Sequence, residues 1–282
     1  MRQKTICVPV DFSTNAFSAY HYASQLAHAI DAELILLNVI NGSFSSNHAL
    51  GYQPLKEIET AVLARLRYFA IEYPHEVGVM IKNVPIRYEV RFGIPGFAIT
   101  NFCKDNDVFL MVMGTRDKHG IFDKIIGTTS STVIRIATCP VLTVHENTLY
   151  TNVNKIVFGY SDEEEGIEDA IEYLKEYNKT FNAGIEFVHV TKEEDENLEP
   201  VVDEIVDEML SNSAIYSFEV KKIKGKDTSN SLIDYCINHK ADMLVLQHRK
   251  IGLFEGLFKK SISISSAHQF HMPVLIFPDS FD

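Results

Sequence analysis

Residues 4–13 of this chain, KTICVPVDFS, form an apolar run that ends in turn-forming residues. Such a run is typical of a buried β-strand followed by a turn. Residues 155–162, KIVFGYSD, repeat the same pattern in the second half of the chain. A pattern that recurs at a long interval indicates a duplicated structural unit, so we read the chain as two copies of one domain.

Three later pairs of segments support the duplication, because all of them are separated by the same interval along the chain. They are residues 102–103 with 235–236, residues 108–113 with 241–246, and CPVL at 139–142 with MPVL at 272–275. A polar stretch at residues 146–154 lies between the copies. The sequence therefore predicts domains at residues 1–148 and 152–282.

Each copy alternates apolar runs with segments of helical spacing. In the first copy the predicted strands are 6–10, 34–40, 86–90, 108–113 and 141–144, and the predicted helices are 15–30, 55–73, 96–104 and 129–137. In the second copy the strands are 155–158, 185–190, 218–223, 243–246 and 274–277, and the helices are 162–177, 198–216, 229–239 and 262–269. Ser13 or Thr14 is expected to cap the first helix, and Pro95 suits the start of the third. Apolar strands separated by helices predict an α/β fold, with two tandem doubly wound parallel sheets of five strands each.

Composition and charge exclude several classes of function. Hydrophobic residues are 46% and charged residues 23% of the chain, as in ordinary folded proteins. The formal net charge of −12 argues against nonspecific binding to nucleic acid or to an anionic membrane. No signal peptide or long apolar span is recognisable, and the four cysteines show no metal-binding spacing, so we expect a cytoplasmic protein with buried, reduced thiols.

Open parallel sheets bind ligands beyond the carboxyl ends of their strands. Asp11 follows the first strand, where its carboxylate could accept hydrogen bonds from a ligand or could simply form a turn. Residues 113–131, MGTRDKHGIFDKIIGTTSS, follow the fourth strand and lead into a helix. Glycines, hydroxyl groups and a helix start can together bind phosphate, and Arg116 and Lys118 add positive charge. Ordinary turn chemistry is the alternative for this loop.

The same loop resembles the signature of the universal stress protein family: Gly, two residues, Gly, nine residues, then Gly followed by Ser or Thr. Gly114, Gly127 and Thr128 match that signature, and Asp117 departs from it. The resemblance extends to VPVDFS at residues 8–13, to Asn38 with the following valine, and to CPVL at 139–142. It therefore covers essentially the whole chain.

The resemblance implies five-stranded Rossmann-like domains of the adenine nucleotide alpha hydrolase type, paired through their last strands as a pseudo-dimer within one chain. It also implies binding of ATP or another adenine nucleotide, with or without Mg²⁺. The implied nucleotide-binding residues are Asp11, Val39, Gly114, Gly127 and Thr128, with Thr129 and Ser130 as additions and Arg116 and Lys118 as local cations. Asp117 would face the phosphates unless it turns outward or recruits Mg²⁺. In the second copy Gln247, Lys250 and Lys260 replace the glycines and Ser161 replaces the aspartate, which indicates a degenerate site.

Three functions are compatible with these residues. The first is a nucleotide-responsive stress protein with little or no catalysis, whose first copy binds an adenine nucleotide and whose second copy serves assembly. The second is an interaction scaffold in which both sites are vestigial. The third is a very slow ATPase with His119 as the base, although we assign no catalytic residue. Further homodimerisation and the protein partner are left open by the sequence.

Overall fold

A computed structural model describes residues 3–41, 55–115, 128–146, 148, 150–160, 167–191, 218–247 and 272–278. These residues fall into two compact units: residues 3–115 and 128–150 belong to unit 1, and residues 151–278 to unit 2. Each unit is a parallel-sheet α/β domain, as the sequence predicted. No helix in these described ranges combines the length and apolarity needed to cross a lipid bilayer.

The sheet of unit 1 contains β1 to β5, in the order β3-β2-β1-β4-β5. Its strands are β1 Thr5–Pro9, β2 Glu33–Ile40, β3 Ile86–Phe92, β4 Leu110–Thr115 and β5 Val141–His145. Neighbouring strands pair in parallel throughout. All five predicted strands are therefore present, with ends that differ by one or two residues from the apolar runs.

The helices of unit 1 are α1 Thr14–Ile30, α2 Leu55–Glu76, α3 Pro95–Asp105 and α4 Thr128–Ile136. Ser13 is the N-cap of α1, because its hydroxyl accepts a hydrogen bond from the main-chain N–H of Ala16. Pro95 begins α3, where its missing N–H needs no partner. Both predictions about helix starts are thus confirmed.

Unit 2 repeats the plan, with the strand order β10-β9-β6-β7-β8. Its strands are β6 Lys155–Tyr160, β7 Gly184–Thr191, β8 Phe218–Lys224, β9 Met243–Gln247 and β10 Val274–Phe277. Its described helices are α5 Ile167–Phe181 and α6 Thr228–Asn238. The predicted helices 198–216 and 262–269, and the predicted start of helix 162–177, lie outside the described residues.

The core of unit 1 is built from strands that are buried on both sides. Ile6, Cys7 and Val8 of β1 have no exposed surface, and the middle of β2 is equally buried. Strands buried on both faces read as continuous apolar runs, which is why the sequence revealed them. Helix α1 packs against β4 and β5, while α3 packs against α4.

The strand order of unit 1 creates one distinctive position. From β1 the chain proceeds outward through β2 to β3, and then returns to the other side of β1 with β4. The connections therefore diverge between β1 and β4, which opens a crevice beyond the carboxyl ends of these two strands. Asp11 and Gly114 lie beside this crevice.

Candidate functional site

A cleft of about 260 Å³ lies at the carboxyl ends of β1, β2 and β4 in unit 1. Its wall combines strand ends with the first turns of α1, α3 and α4. The lining residues are Pro9, Val10, Asp11, Ser13, Asn15, Ala16, Leu37, Asn38, Val39, Pro95, Ile99, Met113, Gly114, Thr129 and Ser130. Among these described residues, Asp11 is the one that carries a charge.

Asp11 forms a local turn immediately after β1. Its carboxylate accepts hydrogen bonds from the main-chain N–H of Ser13, at 3.0 Å, and from the Ser13 hydroxyl. This is an Asx turn, which leads the chain from the strand into the cap of α1. Asp11 is exposed and lines the cleft, so a carboxylate, which can accept several hydrogen bonds, lies within reach of a ligand there. The turn and ligand interpretations of Asp11 are therefore compatible.

Phe12 anchors the same turn to α2. Its backbone is left-handed, with φ of 63°, a conformation that non-glycine residues adopt at some cost. The ring meets Phe69 edge to face at 5.7 Å between centroids, and the Arg65 guanidinium lies 4.0 Å from the ring centroid. These contacts stabilise the strained turn and thereby fix the position of Asp11.

Asn38 connects the end of β2 to the end of β1. Its side-chain amide donates a 2.7 Å hydrogen bond to the main-chain oxygen of Val10, and the residue is only 9% exposed. The Val10 N–H in turn donates to the Leu37 oxygen at 2.8 Å. The two bonds hold the β1 and β2 ends together, so Asp11 and Val39 lie on adjacent strand ends within the cleft.

Gly114 brings β4 close to the start of α1. A β-carbon built at this position would lie 2.2 Å from the main-chain oxygen of Asn15 and 2.5 Å from its carbonyl carbon. Real β-carbons do not approach main-chain atoms so closely, so only glycine permits this contact. The glycine therefore shapes the cleft through helix packing.

Three helix starts face the cleft: Ser13 and Asn15 of α1, Pro95 of α3, and Thr129 and Ser130 of α4. The first turn of a helix carries N–H groups without intrahelical partners and the positive end of the helix dipole. Several such ends around one cleft favour a negatively charged group. These helix starts would favour an anionic group at the cleft although the whole chain is acidic.

The structure brings together Asp11, Val39, Gly114, Thr129 and Ser130 of the predicted site around this cleft. Thr128 begins α4, and its side chain is not among the described atoms. Arg116, Lys118 and Gly127 lie outside the described residues, as do Asp117 and His119. In the described part of the chain no group of His, Cys, Asp or Glu side chains is arranged to hold a metal ion.

Asn15 and Asn38 line the cleft, although the sequence did not single them out as site residues. Asn38 is indicated by the family resemblance alone, and Asn15 resembles any polar residue in the first turn of a helix. Their position as polar residues near two predicted strand ends was the sequence signal that could have indicated a place in the cleft. Their burial, at 9% exposure each, depends on tertiary packing that periodicity does not reveal.

The corresponding positions of unit 2 carry larger side chains. In unit 1, Ile6 of β1 pairs with Leu110 of β4, and Gly114 lies further along β4, near the strand end. In unit 2, Ile156 of β6 pairs with Met243 of β9, and Gln247 lies as many residues beyond Met243 as Gly114 lies beyond Leu110. Gln247 is therefore the counterpart of Gly114. Gln247 is 8% exposed. By the same register His189, 5% exposed, is the counterpart of Asn38. Both counterparts in unit 2 therefore carry buried side chains larger than the unit 1 residues that they replace.

Both halves of the chain are similar to proteins of one known family. The family model described as "Universal stress protein family" matches residues 3–145 and again residues 152–278. A universal stress protein of Methanocaldococcus jannaschii is 29% identical over 147 residues, which are 50% of this chain and 81% of that protein. The Bacillus subtilis universal stress protein YxiE is 30% identical over 146 residues, covering 49% of this chain and 95% of YxiE.

Among solved structures, a universal stress protein from Archaeoglobus fulgidus has a TM-score of 0.71 at 16% identity. The match covers 99% of this chain and 100% of that one, so the likeness concerns the fold. Two matches to one family model, each spanning one repeat, agree with the duplication inferred from sequence. The chain therefore belongs to the universal stress protein family, with two such domains in tandem.

Proposed function

We propose that unit 1 binds an adenine nucleotide, ATP or AMP, as a regulatory ligand, and that the chain works in nucleotide-linked stress signalling. The observation that carries the proposal is the single cleft shared by Asp11, Val39, Gly114 and the first turn of α4. A cleft that offers both a carboxylate acceptor and helix starts matches a ligand with an amine-bearing base and an anionic tail.

In this proposal each part of the cleft has its own role. The base lies beside Asp11 and Val39, where the carboxylate accepts a hydrogen bond from the exocyclic amine or a sugar hydroxyl. The phosphates lie at Gly114, Thr129 and Ser130, with further contributions from Thr128 at the start of α4 and from Gly127, Arg116 and Lys118 in the preceding segment of the chain. Mg²⁺, when bound with the nucleotide, would neutralise phosphate charge near Asp117.

The rest of the chain is assigned to assembly. Buried Gln247 and His189 at the counterparts of Gly114 and Asn38 support a unit 2 without this nucleotide site. We propose that the two units pair as a pseudo-dimer, that the protein acts in the cytoplasm, and that its output is a contact with a protein partner rather than turnover. An interaction scaffold without any ligand is the competing function, and unit 2 is the part of the chain that favours it.

Isothermal titration with ATP and with AMP, each with and without Mg²⁺, tests the proposal. We expect saturable binding with about one nucleotide per chain, since the proposal assigns the site to one of the two units. Absence of saturable binding at millimolar nucleotide would leave only the scaffold.

A matched pair of variants locates the site. Asp11→Asn preserves an acceptor for Ser13 but removes the charge, so we expect about tenfold weaker binding. Asp31→Asn removes the same charge at the other end of α1, where Asn tolerates the left-handed backbone, and should bind like the wild type. Equal affinity of the two variants would contradict a role for Asp11.

A further inference from the structure

One buried amide in the wall of the cleft has an oxygen that is not hydrogen-bonded. Asn15 is the second residue of α1 and is 9% exposed. Its Oδ1 has less than 1 Å² of accessible surface and accepts no hydrogen bond from any residue that the structure describes. Buried polar atoms are nearly always paired, so an exception inside a cleft points to a missing donor.

The surrounding structure gives Asn15 little freedom to move away from the cleft. Its main-chain oxygen packs directly over Gly114, and Ser13 fixes the start of the helix through the hydrogen bond from Ala16. The terminal amide, in contrast, can turn about χ2, a torsion with a broad energy profile. A partial turn of the amide about χ2 would open Oδ1 towards the cleft without moving the helix.

The position of Asn15 limits the chemistry of the missing donor. Asn15 stands over Gly114, in the same cleft as Val39 and the start of α4. Phosphate oxygens are acceptors and would not satisfy Oδ1, whereas the exocyclic amine of adenine belongs to the far end of the ligand. The hydroxyls of the ribose, which joins base and phosphates, are donors at the correct place.

We infer that Asn15 is a specificity-determining residue whose Oδ1 accepts a hydrogen bond from a ribose hydroxyl, so that unit 1 selects ribonucleotides over deoxyribonucleotides. This inference rests on the proposed function, because it assigns a contact within the same cleft. A site built to bind a hydroxyl rejects the analogue without it, since the buried polar atom is then left unpaired. An apolar residue at this position would remove that discrimination.

The test compares affinities for ATP, 2′-deoxy-ATP and 3′-deoxy-ATP in the full-length protein. The wild type should prefer ATP over at least one deoxy analogue by about tenfold or more. Asn15→Leu, which is close in size, and Asn15→Ala, which cannot overpack, should bring that ratio to about one. Ser18→Ala, one turn further along α1 and outside the cleft, should keep the wild-type ratio.

A second measurement separates recognition from a structural role. Without nucleotide, replacing an unsatisfied buried amide should raise the Tm of at least one Asn15 variant by about 2 to 4 °C. A lower Tm in both variants, or an unchanged ratio of affinities, overturns the inference. Failure of the wild type to bind any of the three nucleotides overturns the proposed function itself, whereas wild-type binding of ATP with no preference overturns only the role of Asn15.

Discussion

The main-chain oxygen of Asn15 and the α-carbon of Gly114 are so close that a β-carbon on Gly114 would lie 2.2 Å from that oxygen. This contact joins the first turn of α1 to the end of β4, two elements that border the crevice. Gly114 thus has a packing function in addition to any contact with phosphate. The distinction matters because substitution of this glycine will alter stability as well as binding.

We predict that Gly114→Ala destabilises the protein by about 1 to 3 kcal/mol, the usual cost of forcing an extra carbon into a packed site. Nucleotide affinity should fall together with stability, because the start of α1 carries Ser13 and Asn15 into the cleft. Chemical denaturation and titration of the same preparation measure both quantities.

Gly78→Ala is the matched control for that substitution. Gly78 has φ of 70°, and a β-carbon added there would meet no atom within 4 Å, so alanine encounters backbone strain without overpacking. It should cost about 1 kcal/mol and leave binding intact. Equal effects of the two substitutions on nucleotide affinity would contradict the packing argument.

A second prediction concerns the bond between the Asn38 amide and the Val10 oxygen. Asn38→Ala removes the donor at a buried site and should destabilise the protein by about 1 to 3 kcal/mol. It should also weaken nucleotide binding, because one of the two hydrogen bonds that hold the ends of β1 and β2 together beside Asp11 is lost. Denaturation and titration again measure the two effects.

Asn106→Ala removes a comparable bond, 2.9 Å to the Phe102 oxygen, at the far end of α3. It should affect stability less, since this bond is only partly buried, and should not change affinity. Loss of affinity in the Asn106 variant as well would show that general destabilisation, and not the position of Asp11, explains the effect.

Much of the fold could be predicted from the sequence because strands such as β1, β4, β9 and β10 are almost continuous apolar runs. Runs such as residues 6–8 are buried on both faces of the sheet, so every side chain along them is apolar and the strand is visible in the sequence. The ends were less certain: β3 continues to Phe92, which is 42% exposed, and no apolar pattern could mark that boundary.

The candidate site was predictable where it depends on strand ends and glycine, and not where it depends on packing between elements. Asp11 and Gly114 lie at the ends of apolar strands, so topology alone brings them together. Asn15 and Phe12 could not be identified in this way, because one depends on the close approach of α1 to β4 and the other on the aromatic contact with α2.

A third prediction concerns the four thiols, all of which are buried. Burial raises the pKa of Cys236 to about 12, and the hydrogen bond with Cys103, together with burial, raises the pKa of Cys139 above its usual value. Because the thiolate is the reactive form, native protein at about pH 8 should react very slowly with a disulfide reagent such as DTNB. The same reagent should titrate all four thiols in guanidinium, and rapid reaction of the native chain would contradict the buried assignment.

The last prediction is a loss of stability in mild acid that originates at His21. Burial lowers the pKa of His21 below its ordinary value of 6.5, against a smaller opposite effect of the hydrogen bond with the Met80 backbone. The unfolded chain therefore binds a proton more readily than the folded one, so stability is fully present above about pH 6.5 and decreases as the pH falls below that value. Tm measured between about pH 7.5 and pH 5 should fall less steeply in His21→Gln than in the wild type. Identical slopes for His21→Gln and the wild type would contradict the role of His21.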